Sequence, residues 1–138
     1  LAMHDLAVMG QSHVAQFFEE DVAAFLRERG VSFFRNLKLS GRSGFDHHFD
    51  FGFSATSRRP ESVMQAVNSL SRDLATSVAF AVNDVRLQRG TDAIQAYTIV
   101  NDRDVKPSLD YIDALKAYGI TVHTWNEREA LVPVFGRN

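Results

Sequence analysis

Apolar residues recur along this chain with two different periods, and the changes of period mark out its elements. In "LAMHDLAVM" Met3, Leu6 and Met9 have the spacing of a short helix that Gly10 ends. Val14, Phe17, Phe18, Val22, Phe25 and Leu26 then follow the i, i+3, i+4 rule of an amphipathic helix reaching about Arg29, with Gly30 as its stop. Glu19, Glu20 and Asp21 fall in its first half, where the helix dipole favours acids. The period drops to two over Val31 to Leu39, where Val31, Phe33, Leu37 and Leu39 share one parity. "SGRSG" reads as a turn and Phe45 to Ser54 as a second strand. His47, Phe49, Phe51 and Phe53 lie on one parity of that strand, expected to face the core, and Asp46, His48 and Asp50 on the other.

Past the polar turn "SATSRRP", a third strand is expected from about Ser62 to Asn68, although "ESVMQAV" would also serve as the start of a helix. Helical spacing returns at Leu74, Val78, Ala81, Val82 and Val85, with Ser71 as N-cap. "AIQAYTIV" is a strand. "KPSLDYIDALKAYG" is a helix with Pro107 in its first turn and Gly119 at its end. "ITVHTW" is the last strand, with Trp125 anchoring it to the core, and Asn126 is expected to cap a short terminal helix. The order helix, three strands, helix, strand, helix, strand predicts a mixed sheet with helices on its faces.

Composition narrows the chemistry. With 138 residues, 45% hydrophobic and 11 of them phenylalanine, the chain can bury one sizeable core, so a single domain over 1–138 is expected. It begins at Leu1 and is read as one part of a longer protein. A formal charge of -2 gives no support to charge-driven nonspecific nucleic-acid binding. The absence of cysteine removes disulfides, thiolate catalysis and thiolate-bound metals. No apolar run approaches the ~20 residues of a membrane helix, and a cytoplasmic location is expected. There is no G-x-S-x-G and no H-E-x-x-H, so neither a hydrolase serine triad nor a zinc protease has a foothold.

The motif G-R-S-G-F-D-H-H-F-D-F, residues 41–51, together with "FFEEDVAAFL" and "DALKAYGITVHTWNERE", resembles a bacterial family of unknown function. That family usually forms the C-terminal half of two-domain proteins, and the resemblance covers roughly residues 14 to 130. It implies a second domain or partner protein but no activity. At the level of fold, the element order resembles the PD-(D/E)XK, or restriction-endonuclease-like, nucleases. In that fold an aspartate on the second strand and a D/E-x-K triplet on the third converge on magnesium, which stabilises charge on a phosphate while the lysine helps activate water.

Carried onto this sequence, the resemblance makes Asp50 the metal-binding aspartate, with His48 beside it. The triplet falls on Val63-Met64-Gln65, so an amide stands where the lysine is expected, and relatives are pictured with lysine near Gln65. Glu61 or Glu20 would supply the missing acid. A third strand that turns Glu61 and Asp50 into one cleft favours an Mg2+-dependent nuclease; one that presents only Val63 and Gln65 favours a non-catalytic module binding nucleic acid or protein. A place in a phage or plasmid defence system is a further reading by analogy of fold. Arg42, Arg58 and Arg59 are candidate phosphate contacts. They lie in turns at opposite ends of the second strand, about ten residues of ~3.3 Å apart, so they form no compact patch. His47, on the phenylalanine parity, is expected to be partly buried with a hydrogen-bond partner.

Overall fold

The computed structural model describes residues 17–136. The short helix expected around Met3, Leu6 and Met9 lies outside them. The first described element, helix α1, covers residues 17–28 and ends at Gly30, whose φ of 71° suits a residue without Cβ. Then come β1 (Phe34–Ser40), β2 (Asp46–Phe53), β3 (Glu61–Val67), α2 (Arg72–Arg89), β4 (Ile94–Val100), α3 (Leu109–Ala117) and β5 (Ile120–Thr124). A 3-10 turn over Trp125–Leu131 leads into a short α4 (Val132–Phe135).

The five strands form one sheet in the order β1-β2-β3-β4-β5, with the first three antiparallel and the last three parallel. "ESVMQAV" is therefore a strand. Ser71 caps α2 by accepting a hydrogen bond from Leu74 N–H at 3.1 Å. Pro107 lies outside α3, immediately before the N-cap Ser108, where its fixed φ aims the chain into the helix. Asn126 does not cap a helix. It sits inside the 3-10 turn and donates its backbone N–H to Asp102 Oδ1 at 3.0 Å.

Each face of the sheet carries its own apolar layer. On one, α1 and the C-terminal turns cover Phe51, Phe53, Met64, Tyr97 and Ile99. On the other, α2 and α3 cover Leu39, Phe49, Val63, Ala96 and Ile120. Trp125 packs edge-on against Phe18 and Phe25 of α1.

The phenylalanines of β2 do not share one face. Phe49 packs under α2, whereas Phe51 and Phe53 pack under α1. Strand β1 divides in the same way, with Phe33 ahead of it on the α1 side and Leu37 and Leu39 on the α2 side. The switch occurs where Asn36 and Asp50 are left out of a register that pairs Arg35 with Phe51 and Leu37 with Phe49. Asn36 takes a left-handed φ of 56°, which asparagine tolerates better than most residues. The pleat thus slips by one residue in both strands, and the strict alternation expected from period two fails there.

Candidate functional site

Asp50 occupies the point where β2 and β3 stop pairing. Their ladder covers Phe51, Gly52 and Phe53 against Met64, Val63 and Ser62. Beyond it, side chains replace backbone partners. Ala66 N–H donates to Asp50 Oδ2 at 2.8 Å, and Asp50 N–H donates to Gln65 Oε1 at 3.1 Å. Gln65 is thereby held beside Asp50.

Helix α1 and strand β1 close the other side. Arg35 Nη2 donates to Glu19 Oε2 at 2.6 Å and to Glu20 Oε1 at 2.8 Å, while the guanidinium lies 5.3 Å from the Phe51 ring centre. Burial pushes the Asp50 carboxyl up to about 7, against the Ala66 N–H bond that lowers it; the charge of Glu19 and a hydrogen bond shared with it raise it further. Glu20 moves the other way, held down chiefly by its bond to Arg35. Two carboxyls therefore meet at Asp50 and Glu19, with one guanidinium behind them.

The other expected site residues lie elsewhere. Glu61 is at the far end of β3, bonded to Arg89 of α2, and does not join Asp50. At five residues from Ala66 it is ~16 Å away along the strand. His48 is exposed on β2 opposite Lys38. Arg42 is exposed in the β1–β2 turn and Arg58 in the β2–β3 turn. Arg59 donates to Ser54 O at 2.8 Å and lies over Phe53 and Phe135, so it is built into the turn. Among the described residues no group of three or more His, Asp or Glu could hold a metal ion.

The glycine-serine-glycine turn has a separate purpose. Asp84, buried on α2, accepts from Ser43 N–H at 2.8 Å and Ser43 Oγ at 2.6 Å, and pairs with His47 Nε2 at 2.8 Å. Arg42 N–H adds a bond to the Asp84 carbonyl at 3.0 Å. Gly41 passes so close that a Cβ would overlap the Asp84 carboxylate. The Ser43 bonds and then His47 hold this carboxyl below its usual range. Ser43 and His47 both address the same oxygen of Asp84, so the serine hydroxyl is bonded to the carboxylate and not to the imidazole, and the trio is a clamp.

Sequence reasoning missed Glu19, Arg35 and Asp84. Glu19 and Glu20 are adjacent acids, and only the seating of Phe18 and Val22 against the sheet selects Glu19 as the neighbour of Asp50. Asp84 sat unremarked among apolar α2 positions, and that placement was its signal.

The mixed sheet and its helix order define a restriction-endonuclease-like α/β fold. The model of a family described as a domain of unknown function, DUF1829, matches residues 41–128, and the chain belongs to that family. Among solved structures it is similar to the crystal structure of the protein of unknown function AF1548, with a TM-score of 0.60 and 17% identity. The match covers 84% of this chain and 64% of that one, so the chain spans under two thirds of that protein's length. That likeness concerns the fold alone. No curated protein matches the chain.

Proposed function

We propose that this domain binds nucleic acid by holding a phosphate through one divalent cation shared between Glu19 and Asp50, without efficient hydrolysis. The observation that carries this reading is the carboxyl pair itself, in which Asp50, next to Glu19, keeps its proton up to about pH 7. With Asp50 ionised, three carboxylates face the single Arg35 guanidinium, a net charge of -2 that one Mg2+ would balance. Oxygen donors suit that ion, and magnesium commonly takes only one or two carboxylates, completing its shell with water and phosphate oxygens. When bound, it would supply positive charge to the phosphate.

Hydrolysis lacks a proton acceptor other than the carboxyls that would hold the cation. Gln65 stands where the resembled fold has lysine, and its oxygen is committed to Asp50 N–H. Arg35 provides charge but stays protonated, so it cannot activate water.

Calorimetric titration of Mg2+ or Mn2+ into the wild type and Asp50→Ala, followed by binding and cleavage assays on labelled DNA and RNA, tests both halves. The expected result is millimolar metal binding that the substitution abolishes, metal-dependent retention of nucleic acid, and intact strands. No heat and no metal-dependent retention would overturn the reading, and rapid cleavage would overturn its non-hydrolytic half. The competing reading, a protein-interaction module, draws on an apolar groove of about 520 Å³ between α2 and α3, lined by Ala75, Ala79, Phe80 and Tyr111.

A further inference from the structure

We infer that the hollow between the β2–β3 turn and helix α4 holds a second backbone phosphate of the nucleic acid whose first lies at Glu19 and Asp50, gripped by Arg58 and Arg59 without a metal ion; the inference rests on the function proposed above. Charge is the first support. A chain with a net charge of -2 attracts no phosphate in general, so a backbone contact needs a local surplus of cations. The hollow has one. Arg58 and Arg59 line it together with Gly30, Ser32, Ser57 and Phe135, and no acid among the described residues does. The other large cavities each set an acid among their cations: Asp104 beside Arg103 and Lys106, Asp110 beside Arg72, and Asp92 beside Arg86. No carboxylate pairs with Arg58 or Arg59 among the described residues.

The turn is tied so as to present both guanidinium groups. Thr56 Oγ1 accepts the Arg58 and Arg59 N–H groups at 3.2 Å each, and Thr56 N–H donates back to Arg59 O at 2.9 Å. Arg59 is pinned by its Nη1 bond to Ser54 O at 2.8 Å and by the Phe135 ring, 4.9 Å from its guanidinium carbon. That bond leaves over the edge formed by Nε and Nη2, which can meet two phosphate oxygens at once. Arg58 is exposed, and Ser32 and Ser57 add hydroxyls. The volume, about 630 Å³, lies within the ~300–1,000 Å³ of ligand sites.

Spacing is the second support. Ser32 stands three residues before Arg35, which holds Glu19 and Glu20, and Phe53, 5.9 Å from the Arg59 guanidinium, stands three residues after Asp50. Three residues of extended chain span ~10 Å. At ~3.4 Å of rise per phosphate, that is about three steps along one nucleic-acid strand. Phe33, between Ser32 and Arg35, carries a further arginine, Arg27, over its ring at 5.7 Å.

Fluorescence anisotropy in Mg2+ with labelled DNA and RNA, single-stranded and duplex, between ~50 and ~200 mM salt tests the assignment on the wild type, Arg58→Ala, Arg58→Glu, Arg59→Lys and Asp50→Ala. Arg58→Ala is expected to bind several-fold more weakly on every sequence, with the slope of log affinity against log salt smaller by about 1, and Arg58→Glu about tenfold more weakly. Arg59→Lys should keep the salt slope and still bind several-fold more weakly, because an ammonium is a point charge in place of a two-donor edge. Unchanged affinity and slope in the Arg58 and Arg59 variants, while Asp50→Ala loses binding, would overturn the assignment of the hollow alone. Calorimetric titration of inorganic phosphate into the wild type should give no saturable heat below the millimolar range. Tight phosphate binding that Arg58→Ala removes would give the hollow to a free phosphate and overturn its place on a strand. A wild type that binds none of the nucleic-acid probes would overturn the proposed function and this inference together.

Discussion

Asp50 and Asp84 are both removed from solvent in large part, and the fold treats them in opposite ways. Asp84 collects two bonds from Ser43 and one from His47, and its carboxyl is held below the usual range. Asp50 has one backbone donor, a second carboxyl beside it, and a pKa pushed up to about 7. A carboxylate saturated with donors is finished as a structural part. One left under-compensated next to another acid is where the proposed cation would bind, and such perturbed groups concentrate at functional sites.

The largest effect should come from breaking the saturated partner. Asp84→Ala strands the Ser43 N–H, the Ser43 hydroxyl and His47 at once, and is expected to lower the melting temperature by roughly 10 °C in a calorimetric scan. A larger loss from Asp50→Ala would invert the contrast. Asp50→Asn keeps an acceptor for Ala66 N–H while removing a charge that burial penalises, so denaturant unfolding at pH 8 should find it more stable than wild type by roughly 2 kcal/mol. The same variant should lose metal binding, separating stability from function.

The two aspartates also predict opposite pH dependences. Folding raises the Asp50 pKa, so the folded state holds its proton more tightly. That contribution is therefore greatest at low pH and is lost as pH rises from about 4 to about 7. Asp84 is depressed, so its contribution is present above its ordinary pKa and disappears as pH falls through the folded one. The stability of wild type relative to Asp50→Asn, followed by urea titration across that range, should therefore decline toward neutrality and then level off. A smaller effect is expected at the kink. Asn36→Ala places a residue less tolerant of the left-handed region there and should cost about 1 kcal/mol, with Asn36→Gly close to neutral.

Much of this was legible from residue patterns. The order of elements follows from the changes of period, and Asp50 stood out because an aspartate in a phenylalanine strand demands a reason. The face switch was hidden because period two assumes an unbroken pleat, and nothing local in "FRNLKLS" announces that Asn36 will leave it. Its only cue was an asparagine, a poor strand former, within the first strand. Glu61 was placed with Asp50 because register along β3 depends on partners in β2 and β4 that one strand's sequence does not contain. The G-R-S-G turn read correctly as a turn, but its glycine requirement comes from a carboxylate on a helix more than forty residues later.

The slip at Asn36 has a bearing on how the molecule behaves in a crowd. Among the described residues strand β1 is an edge of the sheet, and an edge strand presents a row of backbone groups to any extended chain that comes alongside. An approaching strand would meet a left-handed residue midway, lose register there, and find Arg35 and Lys38 on either side. The same irregularity that places Asp50 therefore spoils β1 as a template for fibrillar self-assembly.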